Sequence, residues 1–207
     1  MMIGLIGLIG SGKGTVGDIL RDEHGYLQDS FARPLKDAVS VIFGWDRQML
    51  EGVTKDSREW REVADPFWSN KFGYAFTPRL ALQLMGTEAG RDVFHESIWV
   101  TSLLHRHQGN EDVVVTDVRF RNEIAAIRDM GGMIVRVRRG PDPAWFPTAQ
   151  SAIAGDPESL RIMAGMSIHT SEWDWVGSTI DHTIYNDGTL ADLRRNVQSL
   201  AEMVRRP

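Results

Sequence analysis

Near its start the chain runs Gly7-Leu8-Ile9-Gly10-Ser11-Gly12-Lys13-Gly14-Thr15, directly behind the apolar Ile3, Leu5 and Ile6. An apolar strand, a glycine-rich turn and a lysine in that order leave few folds open. Glycines let backbone N–H groups converge on a phosphate, where a Cβ would obstruct them. Lys13 adds a point charge at the β/γ-phosphates, and the hydroxyl of Thr15 can serve Mg²⁺. Val16, Ile19 and Leu20 then follow at helical spacing, so a helix N-terminus also faces the anion. Glycine-rich strand–helix turns occur without ligands too. With the lysine, the threonine and the upstream strand all present, this one reads as a nucleotide-binding loop.

The rest of the composition narrows the class. At 207 residues the chain fits a single domain that can bury a full α/β core. It has no cysteine, hence no disulfide framework, and a formal charge of −5, which argues against stable nucleic-acid binding through the overall field. No apolar run approaches a membrane span, and Met1-Met2 leads straight into the first strand without a signal peptide. The expectation is a cytoplasmic enzyme that acts on small nucleotides. The sequence leaves a homodimer open.

Alternation of apolar runs and amphipathic segments supplies the architecture. Strands are expected at the start, at Tyr26–Phe31, Val113–Asp117, Met133–Val137 and Thr183–Tyr185. Helices are expected from Pro34 through Phe43, from Thr77-Pro78 to about Met85, over Ile98–His105, over Asn122–Met130 and after Asn186-Asp187-Gly188-Thr189. Residues 44–76 carry charges and aromatics without clear period. Residues 140–178, rich in Gly and Pro, suggest a mobile, lid-like excursion. Together these give an α/β fold: a parallel sheet of about five strands flanked by helices on both faces. Ligands in such sheets gather beyond the carboxyl ends of the strands. The loop, Asp117–Arg121 and Asn186-Asp187 all fall there.

Three sets of polar residues accompany the loop. Asp117, ending a Val-rich strand, suits a carboxylate that positions Mg²⁺, or else an N-cap or arginine partner. Arg119 and Arg121 follow, with Glu123; arginines there can neutralise transferring phosphoryl oxygens or form a solvated charge run. Arg79, Gln83, Thr87, Glu88 and Arg91 make a polar set that fits an exposed face as well as a site. Trp99 can stack on a base or belong to the core. His95, His105 and His107 show no metal-ligand spacing and are expected at the surface.

In series, these segments resemble the deoxynucleoside monophosphate kinases of tailed bacteriophages, a branch of the P-loop nucleoside monophosphate kinase fold. The likeness runs through the Lys13-Gly14-Thr15 loop, Phe31-Ala32-Arg33-Pro34-Leu35-Lys36, Arg79 to Glu88 with its Gln83 and Gly86-Thr87-Glu88, Trp99-Val100, Asp117-Val118-Arg119 with Glu123, His169-Thr170-Ser171-Glu172 and Asn186-Asp187-Gly188. Gly14 departs from relatives that carry an acidic residue there, and residues 44–76 match poorly.

The resemblance implies one kinase domain over 1–207, with a helical NMP-binding region at 44–100 and a lid at 140–178. It implies ATP and Mg²⁺ as cofactors and γ-phosphoryl transfer to a deoxynucleoside 5′-monophosphate. Lys13 would act in catalysis with Asp117 and Arg119. Gly10, Ser11, Gly12, Lys13, Gly14 and Thr15 would hold the ATP phosphates, and Thr15 with Asp117 the metal. Lys36, Arg79 and Arg119 would hold the acceptor phosphate. Gln83, Thr87, Glu88, Arg91, Trp99 and Glu123 would complete the acceptor side. Arg138, Arg139, His169 and Glu172 would belong to the lid. The host compartment would be the cytoplasm of a phage-infected or lysogenic bacterium. Alternatives are a P-loop kinase for a modified pyrimidine (as nucleotide or in DNA), a kinase for another small phosphorylated acceptor, and a nucleotide-binding module without transfer activity.

Overall fold

The computed structural model describes residues 1–109 and 111–205. The chain divides into two compact units, one of Met1–Ser30 with His107–Pro207 and one of Phe31–Arg106. The first is built on five strands: β1 (Met2–Ile6), β2 (Leu27–Asp29), β3 (Val113–Val115), β4 (Met133–Arg138) and β5 (His182–Tyr185). They form one sheet in the order β2-β3-β1-β4-β5, every pairing parallel. β1 is central and buried at every position, which is why it reads as an unbroken apolar run. The loop after it feeds α1 (Lys13–His24), whose Val16, Ile19 and Leu20 join Ile3, Leu5, Val114 and Val135 in the core.

The second unit is helical. It comprises α2 (Arg33–Phe43), a 3₁₀ turn at Met49–Glu51, α3 (Lys55–Glu62), α4 (Pro66–Phe72), α5 (Pro78–Leu84) and α6 (Ile98–Arg106). Between the last two, Met85–Phe94 forms a π-helix. Residues 44–76, which show no period, are thus folded. α3 and α4 span two turns each, too short for a periodic signal, and they are started by Thr54 and Asp65, whose side chains accept from Ser57 N and Trp68 N. What holds them is aromatic packing: Phe43 stacks on Trp45 at 4.7 Å, with Trp60, Trp68 and Phe76 around the pair. The indole N–H groups of Trp45 and Trp68 donate to Asp65 Oδ2 and the Phe43 carbonyl.

The first unit resumes after Arg106 and adds α7 (Arg121–Asp129), α8 (Phe146–Ile153), α9 (Pro157–Gly165) and α10 (Leu190–Arg205). α10 buries Leu193, Val197 and Leu200 against the sheet on the stripe its spacing predicts. Residues 140–178 are ordered as α8, α9 and a 3₁₀ turn at Thr170–Glu172, with Phe146, Ala149, Met163, Trp175 and Val176 buried. Several prolines and glycines of this stretch stand at helix starts and stops. Pro147 and Pro157 occupy first turns, and Gly155 sits at φ 94° between the two helices.

One residue departs from its expected place. His107 is largely buried, its Nε2 2.7 Å from Asp29 Oδ2, and Asp29 is itself buried. The pair joins residues 78 apart, a contact that local spacing cannot reveal. No helix among the described residues is long and apolar enough to cross a membrane.

Candidate active site

The loop between β1 and α1 is shaped by glycines at two points where a side chain would be strained. Gly7 (φ 144°) lies so close to β4 that a Cβ would stand 2.3 Å from the Val137 carbonyl oxygen. Gly12 (φ 100°) leaves no more room, because a Cβ would meet Asn186 Nδ2 at 2.4 Å. That amide group donates to the Ser11 carbonyl at 2.9 Å and ties the loop to the end of β5. On the other side, ideal Cβ positions at Gly10 and Gly14 have nothing within 4 Å. α1 starts at Gly12 without a side-chain cap and without an acid in its first turn. Its first N–H groups therefore lack intrahelical partners and form a positive dipole end with no acid in the first turn to offset it. The loop has the open backbone and helix start that an anion-binding cradle requires.

Lys13 lies along the loop. Its Nζ donates to the carbonyls of Gly7 (2.7 Å) and Leu8 (3.1 Å). Burial, and then the charge of Arg119, lower its pKa to about 8, while Glu172 and Asp117 pull the other way. Near neutral pH the ammonium is charged, with Arg119 and Asp117 in its field.

Arg119 and its neighbours form a second layer. Its Nη1 donates to Glu172 Oε1 at 2.7 Å and to Ser171 Oγ at 3.3 Å. Ser171 is held in turn by His169, whose Nδ1 accepts from the Ser171 backbone N–H. The His-x-Ser-Glu segment, expected in the lid, thus contacts Arg119 through Ser171 and Glu172. Glu123 is buried, and its Oε2 accepts from the backbone N–H of Arg119 (2.8 Å) and Phe120 (3.0 Å). It fixes the start of α7 and the backbone that presents Arg119. Asp117 lies two residues beyond β3, half-buried, and Thr15 is exposed at the head of α1. No cluster of three His, Asp or Glu groups that could hold a metal exists among the described residues. One carboxylate and one hydroxyl beside phosphates still suit Mg²⁺, which takes few protein ligands and relies on substrate oxygens.

The loop also borders a pocket of about 120 Å³ lined by Leu8 to Ser11 and by Arg136 to Arg139 with Asp142. Arg136 pairs with Asp142 and lies over the rings of Phe146 (4.9 Å) and Trp175 (5.2 Å). Arg138 reaches the Gly140 carbonyl (3.2 Å) and Asp142 (3.7 Å), while Arg139 is exposed. Spacing alone does not reveal the Arg136–Asp142 pair or the Asn186 tether. The Asn-Asp-Gly turn after the last strand was the only available signal for the tether.

The remaining expected residues, Lys36, Arg79, Gln83, Thr87, Glu88, Arg91 and Trp99, all lie in the helical unit. Lys36 Nζ donates to Glu51 Oε2 at 2.5 Å, and Arg79 pairs with Glu62 at 3.3 Å. Gln83, Thr87 and Glu88 are exposed. Thr87, Glu88 and Arg91 ride on the π-helix, an element that recurs at functional sites. Trp99 secures it. The indole N–H donates to the Gly86 carbonyl at 2.8 Å, and the ring lies against Gly90, where a Cβ would be 2.6 Å from it.

No protein-family model matches the chain. A protein of Acanthamoeba polyphaga mimivirus bearing the name deoxynucleotide monophosphate kinase is 32% identical over 153 residues, 67% of this chain and 74% of that protein. The deoxynucleoside-5′-monophosphate kinase of Escherichia phage T5 is 28% identical over 197 residues, covering 66% of this chain and 77% of that one. Among solved structures, a shikimate kinase from Bacteroides thetaiotaomicron aligns with a TM-score of 0.48 at 14% identity, over 100% of this chain and 99% of the other. At 32% identity across 74% of the mimivirus protein, this chain belongs to the deoxynucleotide monophosphate kinase family.

Proposed function

We propose that the chain transfers the γ-phosphoryl of ATP to the 5′-phosphate of a deoxynucleoside monophosphate, giving ADP and the deoxynucleoside diphosphate. The observation that carries this reading is the loop itself, an uncapped helix start and a charged Lys13 with Arg119 and Asp117 in its field. Both curated relatives bear names of this activity. The acceptor oxygen needs no general base, because a phosphate monoester has its second pKa near about 6 and is already ionised. The site accordingly offers cations and N–H donors, so catalysis rests on alignment and charge neutralisation.

In this reading Lys13 leaves the Gly7 and Leu8 carbonyls for the β/γ-phosphates, and the amides of Gly10 to Thr15 hold the remaining oxygens. Thr15 and Asp117 would hold Mg²⁺, which supplies charge neutralisation at the phosphates. Arg119, oriented by Glu172 and Ser171, faces the transferring group. Lys36 and Arg79 serve the acceptor phosphate, and Gln83, Thr87, Glu88, Arg91 and Trp99 its sugar and base. Arg138 and Arg139, beside the loop, shield the reacting phosphates from water, which would otherwise compete as acceptor.

The test is ADP release with ATP and Mg²⁺ against dAMP, dGMP, dTMP, dCMP, the 5-hydroxymethyl pyrimidine deoxynucleotides and the ribonucleotides. Turnover that depends on a deoxynucleotide, and falls by at least about 10³-fold in Lys13→Ala, is expected from the loss of a charge-stabilising group at the transferring phosphoryl. Unchanged turnover in Lys13→Ala would reject the mechanism. Activity confined to the modified pyrimidines would narrow the acceptor without altering the chemistry.

A further inference from the structure

The helical unit contains a charge arrangement that lies outside the family motifs. The two carboxylates whose charge acts on Arg61 are committed elsewhere. Glu51 binds Lys36 through Oε2 and Arg47 through Oε1, both at 2.5 Å, and Glu62 pairs with Arg79. Arg58 donates to the Val53 carbonyl at 2.7 Å. Arg61, half-buried on α3, has no such arrangement. Its Nε is buried without a hydrogen-bond partner, and no carboxylate forms an ion pair with it among the described residues. The guanidinium is seated against Gly52, so closely that a Cβ there would stand 2.2 Å from Cζ and Nη2.

Such a group is costly. A buried donor without an acceptor forfeits its hydration, and a partly buried charge without a partner forfeits more. Burial first, and then the charge of Arg79, hold the Arg61 pKa below the usual guanidinium range; Arg58 adds to the effect, with Glu62 and Glu51 opposing it. A neutral base carbonyl would satisfy one donor yet leave the repulsion between Arg61 and Arg79. A dianion satisfies the donors and both charges at once.

We infer that Arg61 binds the acceptor's phosphate monoester, together with Arg79. The assignment rests on the kinase reading above and adds a residue from the stretch that departs from the family pattern.

Arg61→Gln and Arg61→Lys test it in the full chain. Loss of a charge-assisted bidentate contact is expected to raise KM for the deoxynucleotide about ten- to hundred-fold in Arg61→Gln, with KM for ATP unchanged. Arg61→Lys, which keeps the charge but not the fork, should show a smaller rise. The empty protein should melt no lower in Arg61→Gln than in the wild type, because an uncompensated charge is removed.

Inorganic phosphate is the second probe, used in a Lys13→Ala background so that the nucleotide loop contributes little. It should raise Tm with Arg61 present and not with Gln in its place. A lowered Tm of the empty protein with deoxynucleotide KM within about twofold would show a purely structural arginine and overturn the inference. Phosphate protection that survives Arg61→Gln would overturn it too. If no deoxynucleotide is turned over by the wild type while phosphate protection still depends on Arg61, the kinase reading fails and the anion site stands.

Discussion

Lys13 is the residue whose chemistry is most open to measurement. Its pKa of about 8 in the folded chain lies below the unfolded value of 10.5. Below pH 8 both states hold the proton, and folding bears the full cost of burying the charge, on the order of 3 kcal/mol. Between pH 8 and 10.5 the unfolded chain binds more protons than the native one, so native stability rises with pH across that window. In urea unfolding without nucleotide, the wild type should gain on Lys13→Met from pH 8 to 10, and parallel profiles would contradict the shift. An anion in the loop restores the lysine's affinity for its proton. Nucleotide binding at pH 9 should therefore take up a proton, which the buffer dependence of the binding heat reports.

At the scale of elements, the π-helix at Met85–Phe94 is the feature the sequence states least clearly. Gly86 signals that α5 ends or loosens, but the widened turn that follows depends on Trp99, thirteen residues on, which donates to the Gly86 carbonyl. Trp99→Phe keeps the ring against Gly90 and removes only the donor. A loss of about 1 kcal/mol in unfolding free energy is expected, typical of one hydrogen bond. Because Thr87 and Glu88 ride on this turn, acceptor KM should rise while ATP KM stays constant. An unchanged acceptor KM would separate the π-helix from substrate binding. α3 and α4 make a related point. Each is two turns long and held by tryptophan contacts, so neither has the length to advertise itself as a periodic stripe.

For the whole molecule, the Asp29–His107 contact is placed where it matters. The helical unit lies between Ser30 and His107 in sequence, and this pair links the two chain segments of the sheet unit that flank it in sequence. His107→Ala would leave the buried Asp29 Oδ2 without the ring nitrogen at a cost of about 1–3 kcal/mol. In a denaturant titration the midpoint should fall. If it does not move, the contact is incidental to stability.

Residues close in sequence determined a good deal by themselves. The loop at Gly7–Thr15, the order of strands and helices, the apolar stripe of α10 and the anion chemistry were all legible, since each follows from spacing within one strand or one helix. The tertiary structure alone decided the rest. It set Lys13 against the Gly7 and Leu8 carbonyls, gave Asn186 to Ser11, placed Glu123 under the backbone N–H groups of Arg119 and Phe120, and left Arg61 Nε without a hydrogen-bond partner among the described residues. Each of those outcomes depends on which distant group fills a given volume and which donor meets which acceptor, and local periodicity carries no record of that.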